Sequence, residues 1–282
     1  MASLIFARLT FVEAVRRRIL LAAFVLGVAF LVLYGAGFFF MQEQWRSGAS
    51  GIMSEVIRKQ FYTFLVLAGL YAVNFLGAIM GAILSADTLA GEIASGTVQA
   101  LATKPVRRVE IVLGKWLGFA GLLGLYLLLM AGGVVAIAYG LTGFSLPNLA
   151  GGVGLIYFGA LLVMTVTLAC SSRLSTLATG GVVFGLYGIG FIGGWVEQFG
   201  AFLQNQTAVN VGIISSLLIP SDALWRRATF EMTPPLGQAL GFASGGPFIT
   251  TSVPSPFMIA YAGLYMVVVV ALTARQFSHR DL

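Results

Sequence analysis

The sequence predicts an all-α, polytopic membrane protein with six transmembrane helices. Three observations lead there. Of the 282 residues, 59% are hydrophobic and only 9% charged, against about 25% charged in soluble domains. A soluble fold of this size cannot hide that much apolar surface. Six stretches free of Asp, Glu, Lys and Arg are long enough, or nearly so, for a bilayer span of about 20 residues. All eight prolines fall outside them, as expected of a residue that interrupts helices.

The chain begins with an apolar and basic stretch, 1–18. Leu4, Ile5, Phe11, Val12 and Val15 can share a broad apolar side, with Arg8, Glu13, Arg16 and Arg17 as its polar residues. Glu13 stands four residues before Arg17, a helical pairing distance. This reads as a helix in the headgroup layer ahead of the first span, with Arg18 closing the basic run; a plain positive flank that orients the span is compatible with it. The spans are then 19–41, 61–86, 117–141, 149–171, 177–196 and 257–274. The first is too long for a signal-peptide core of about 7–15 residues, so it is expected to remain as a span.

Orientation follows from Lys and Arg. With the N-terminus in the cytoplasm, 11 of the 16 basic residues fall on inner segments. An even number of spans then puts both termini inside. The formal charge of +6 belongs with anionic headgroups, since the basic residues cluster at span ends and no nucleic-acid-binding motif is present.

The long segment 197–256 is placed outside the cell. Within it, Ala208–Ile219 is apolar but too short to span, which fits an interfacial or re-entrant piece. Pro220–Ser221–Asp222 reads as a helix start with Ser221 as its cap. That helix would turn Leu224, Trp225 and Ala228 inward and Arg226 and Arg227 to water. Thr233–Pro256, rich in Gly and Pro, reads as loop. The segment either caps the exit of a pathway or connects passively.

No catalytic constellation is visible. There is no phosphate-binding glycine loop with Lys and Ser/Thr, so this chain is not expected to hydrolyse ATP. Cysteine clusters, paired histidines and a nucleophile elbow are also missing, and no metal site is expected. The single cysteine, Cys170, and the single histidine, His279, read as a buried small side chain and a solvated tail residue. The spans carry no ionisable acid or base, which disfavours proton or sodium coupling.

The most informative stretch is 87–115. Helix-breaking Gly96 follows the second span. Thr97 can cap a short helix with Val98 and Leu101 on one side, and Pro105 redirects the chain. Arg107 and Arg108 hold the next helix at the inner surface. The product is a compact cytoplasmic protrusion suited to a partner's groove; a plain inner loop is the alternative.

This stretch resembles the signature of the permease subunits of type-2, exporter-like ABC transporters. The pattern is Glu-x-x-x-Gly-Thr, a leucine, a proline, basic residues, an isoleucine and Gly-Lys. Here these are Glu92, Gly96, Thr97, Leu101, Pro105, Arg107, Arg108, Ile111, Gly114 and Lys115. The start with Glu13 and Arg16–Arg18, the run Leu218–Trp225 and the tail Phe277–Leu282 also look like this family. The resemblance implies one transmembrane permease domain over 1–282, pairing with a second permease subunit as a homo- or heterodimer in the cytoplasmic membrane. It implies an ATPase subunit, carrying ATP and Mg2+, docked on a coupling helix near Gly96–Thr103. On that reading Asp87, Glu92, Gly96, Thr97, Val98, Leu101, Thr103, Pro105, Arg107, Arg108, Gly114 and Lys115 make up the ATPase-coupling segment. The alternatives are an ion-coupled secondary carrier and a membrane assembly factor without transport.

Overall fold

The computed structural model describes residues 2–15, 18–46, 52–86, 108–240, 250 and 252–278. Ten helices and no strands occur among them. They are α1 (Ala2–Val15), α2 (Arg18–Arg46), α3 (Ile52–Ala86), α4 (Arg108–Thr142), α5 (Leu149–Ser171), α6 (Thr176–Phe202), α7 (Gln206–Leu218), α8 (Ser221–Met232), α9 (Pro235–Leu240) and α10 (Phe257–Ser278). Six of them, α2 to α6 and α10, are long and apolar enough to cross a membrane. The protein is an all-α polytopic membrane protein.

The spans alternate in direction, so α1, the ends of α3 and α4 that flank 87–107, the α5–α6 turn and the end of α10 share one face, called here the α1 face. Ser172 in the α5–α6 turn donates to Gln276 Oε1 of α10 at 3.4 Å. On the opposite face α7 and α8 form a hairpin bent by 110°.

Span α5 is the centre of the bundle. From Leu155 to Leu168 it buries Ile156, Leu162, Met164, Thr165 and Thr167 almost completely. Thr165 and Thr167 return their hydroxyls to carbonyls four residues back, Leu161 and Val163, both at 2.7 Å. That satisfies a polar group where lipid offers no partner. Span α2, by contrast, turns Leu21, Val25, Leu33 and Phe40 outward, as a lipid-facing helix must.

Close packing rests on glycine at a few positions. A Cβ on Gly81 of α3 would stand 3.0 Å from the Ala160 carbonyl of α5. One on Gly69 would meet the Tyr34 ring at 2.6 Å. Backbones approach through such positions in membranes, where dispersion rather than water drives helix association.

Several expectations need correction. Helix α6 runs on to Phe202, so Glu197, read as the first residue after the fifth span, lies inside the helix. Ser221 is the first residue of α8, not its cap: Pro220 holds the cap position without a side-chain hydrogen bond. The stretch after Thr233 contains the short helix α9. Arg226 is 1% exposed and does not face water.

Candidate functional site

Two constructions stand out, one at each face. At the α1 face, α1 lies along the first turns of α4. Thr10 and Ala14 are buried there, with Phe11 half-buried. Gly118 makes the approach possible, since a Cβ on it would fall 2.7 Å from the Ala7 carbonyl and 2.9 Å from Thr10 Cβ. Leu4, Ile5, Leu9, Val12 and Val15 remain exposed, giving α1 a lipid-facing side around Arg8.

The two helices that flank 87–107 are tied to the same spot on α5. Near the end of α3, the Ser85 hydroxyl, itself fully buried, donates to the Met164 carbonyl at 3.2 Å and the Gly81 carbonyl at 2.7 Å. Near the start of α4, Trp116 Nε1 donates to Thr165 Oγ1 at 2.8 Å. About one turn of α4 further on, Tyr157 OH of α5 donates to the Ala120 carbonyl at 2.9 Å. Both ends of the segment are thus fastened to Met164 and Thr165, consecutive residues of the central span.

Of the residues implicated by sequence, Glu13 sits on α1, Arg18 opens α2, Arg108 opens α4, and Gly114 and Lys115 lie in the first turns of α4. Lys115 is buried, 4% exposed, so it is enclosed by the bundle rather than set at the surface. Asp87, Glu92, Gly96, Thr97, Val98, Leu101, Thr103, Pro105, Arg107, Arg16 and Arg17 lie outside the described residues.

At the opposite face sits a charge cluster that the sequence reading missed. Arg226 of α8 grips Glu197 of α6 with two nitrogens, Nη1 to Oε1 at 2.6 Å and Nη2 to Oε2 at 2.8 Å. Its Nε donates to Asp222 Oδ2 at 3.0 Å and its Nη2 also to Ser216 Oγ of α7 at 3.1 Å. Ser252, ahead of α10, donates its hydroxyl to Glu197 Oε1 at 2.7 Å. Thr250 donates to the Arg226 carbonyl at 3.2 Å. The planar guanidinium fork suits this task, because its donors diverge to several acceptors at once. The result joins α6, α7, α8 and the strip before α10.

Glycines admit the cluster. A Cβ on Gly194 would collide with the Asp222 carboxylate, and one on Gly193 with the Ser215 side chain. The hairpin α7–α8 therefore lies flush on α6. Arg227, the neighbour of Arg226, takes a different direction: it pairs with Glu231 at 3.0 Å and lies 5.5 Å from the Phe230 ring centroid. Successive helical residues point about 100° apart, so the two arginines do not share a face. The signal in the sequence was the Asp222/Arg226 spacing of four; the third member, Glu197, is remote in sequence.

No group of three or more His, Cys, Asp or Glu that could hold a metal occurs among the described residues. Glu197 is an acid inside a span helix, which corrects the expectation of ion-free spans. It is held in an ion pair at the hairpin face.

Six long apolar helices, a short entry helix lying on α4 and a helical hairpin on α6 define a polytopic, all-α membrane protein. The chain belongs to the ABC-2 family of transporter proteins: the family model described as "ABC-2 family transporter protein" matches residues 4–282. It is thus a multi-pass permease of the ABC transporter class. A search of curated proteins finds no match.

Proposed function

We propose that this chain is the membrane-spanning subunit of an ATP-driven exporter, moved through 87–115 by a separate ATPase subunit that binds ATP and Mg2+. The observation that carries this reading is the double fastening at Met164 and Thr165. A push on the segment between α3 and α4 reaches both helices and the central span together. Because α1 lies on α4 at Gly118, the same push reaches the entry helix. Close-packed interiors transmit such displacements with little loss. The family membership supports an ATPase partner, and the lack of a phosphate-binding loop in this sequence fits nucleotide chemistry on that partner.

In this reading the α1 face is cytoplasmic and the α7–α8 hairpin lies toward the exterior of the cytoplasmic membrane. A second permease subunit completes the pathway, as a homo- or heterodimer. The export direction rests on the resemblance of 87–115 to the permeases of exporter-like ABC transporters.

The test is co-purification of the full chain with an ABC ATPase subunit, followed by Leu101→Arg. The variant should fold, as judged by its unfolding midpoint in detergent, yet lose the ATPase subunit. Retained binding with intact ATP-dependent transport in Leu101→Arg would refute the coupling role. Transport by the chain alone along an ion gradient would favour a secondary carrier instead.

A further inference from the structure

The cluster at the hairpin face holds two acids and one base. Asp222, Glu197 and Arg226 are all enclosed, so one negative charge is left over where water hardly reaches. The geometry says which acid carries it. Glu197 receives both terminal nitrogens of Arg226, at 2.6 and 2.8 Å, and the Ser252 hydroxyl at 2.7 Å. Asp222 receives only Arg226 Nε, at 3.0 Å on Oδ2, and no hydrogen bond from a described residue reaches its Oδ1. The surplus charge therefore rests on Asp222.

The neighbouring elements do not balance that charge. Tyr71 of α3, whose ring centroid is 5.2 Å from that of Trp225, and Tyr187 of α6 lie close enough to feel Asp222. Both are phenols, which stay neutral below about pH 9. From α7 comes Ser216, which is uncharged and accepts from Arg226. Arg227 and Glu231 of α8 pair with each other. Burial pushes the Asp222 carboxyl up from 3.8 to about 6; Arg226 beside it opposes the rise and Glu197 adds to it.

Asp222 owes this burial to the seating of the hairpin. Its carboxylate fills the space that Gly194 of α6 leaves open, just past the 110° bend between α7 and α8. A hairpin that swung away from α6 would return Asp222 to water as an ordinary carboxylate. The docked form thus binds a proton more tightly than the undocked one, and by linkage acid favours docking.

We propose that the α7–α8 hairpin is a pH-set latch, which takes up one proton at Asp222 when it docks on α6 and loosens when Asp222 gives that proton up. The proton comes from the compartment on the hairpin side, because the Asp222 side chain keeps 13% of its surface exposed. Above about pH 6 the docked form carries the enclosed charge and the latch is loosest. Docking strengthens as pH falls from there to 3.8, and below that both forms are protonated and nothing more is gained. The latch does not depend on the coupling role of 87–115.

Hydrogen-exchange mass spectrometry of the full chain in lipid nanodiscs tests this, with each rate corrected for the intrinsic pH dependence of amide exchange and α5 as internal reference. Protection of α8 relative to α5 should rise about tenfold between about pH 7.5 and about pH 5. Asp222→Asn, neutral at every pH, should show no such rise. Asp222→Ser also removes the carboxyl and serves if Asp222→Asn does not fold. Wild-type protection of α8 that stays flat or falls on acidification would overturn the proposal, as would a rise that persists without the carboxyl.

Discussion

Replacing Arg226 by methionine keeps much of the side-chain volume and removes the charge. In the native cluster two carboxylates and one guanidinium leave a single surplus negative charge, with Arg226 and Glu197 side chains 1% and 4% exposed and Asp222 13% exposed. Without the guanidinium, Glu197 loses both of its ion-pair contacts and keeps Ser252 Oγ at 2.7 Å. Asp222 loses the Arg226 Nε contact at 3.0 Å. Breaking a buried pair in this way costs about 3–5 kcal/mol, most of it from the acids left uncompensated. Equilibrium unfolding in mixed detergent micelles, followed by tryptophan fluorescence, reads the change, and Trp225 beside Arg226 reports locally. Arg226→Met should then be nearly as harmful as Arg226→Ala, because charge and not volume is the issue. Adding Glu197→Gln and Asp222→Asn to Arg226→Met should restore about half of the loss or more, since a neutral cluster has no ion left to solvate. If Arg226→Met lost less than about 1 kcal/mol, the range of an exposed ion pair, the cluster would be hydrated and the argument from burial would fail.

Gly194→Val places side-chain atoms where the Asp222 carboxylate lies; it should cost about 1–3 kcal/mol as overpacking does and loosen α8 in hydrogen-exchange measurements, whereas native protection would contradict the close approach. Gly118→Val should lift α1 from α4, because a Cβ there already stands 2.7 Å from the Ala7 carbonyl; faster proteolysis of the entry helix in membrane vesicles is the expected readout, and an unchanged rate counts against the contact. Trp116→Phe removes the 2.8 Å bond to Thr165 at a cost of about 1 kcal/mol. In a reconstituted complex it should leave ATPase-subunit affinity unchanged while fewer molecules are transported per ATP; an unaltered ratio would separate that bond from coupling.

The six crossings were legible because hydropathy and proline positions report directly on what a bilayer permits. Their ends were less so. Span α6 continues past Glu197 because the acid meets Arg226 inside the bundle, so a charged residue did not mark the end of the helix. Sequence places Arg226 and Arg227 side by side, and two adjacent arginines read as one wet face. The fold separates them, since Asp222 and Ser216 claim the first and Glu231 the second. The fastening of Ser85 and Trp116 to α5 had no sequence signal, for neither residue is unusual in a span and the partners are a carbonyl and a threonine hydroxyl. The α1 contact had no sequence signal either: nothing in the sequence marks Gly118 as the position where Ala7 and Thr10 of α1 fill the space of a missing Cβ.

The coupling claim is tested most directly by a photo-crosslinking residue at Leu101, in membranes containing both this chain and its ATPase subunit. The account predicts a crosslink to the ATPase subunit that changes in yield when ATP is added. Crosslinking to lipid alone, with and without nucleotide, would contradict it.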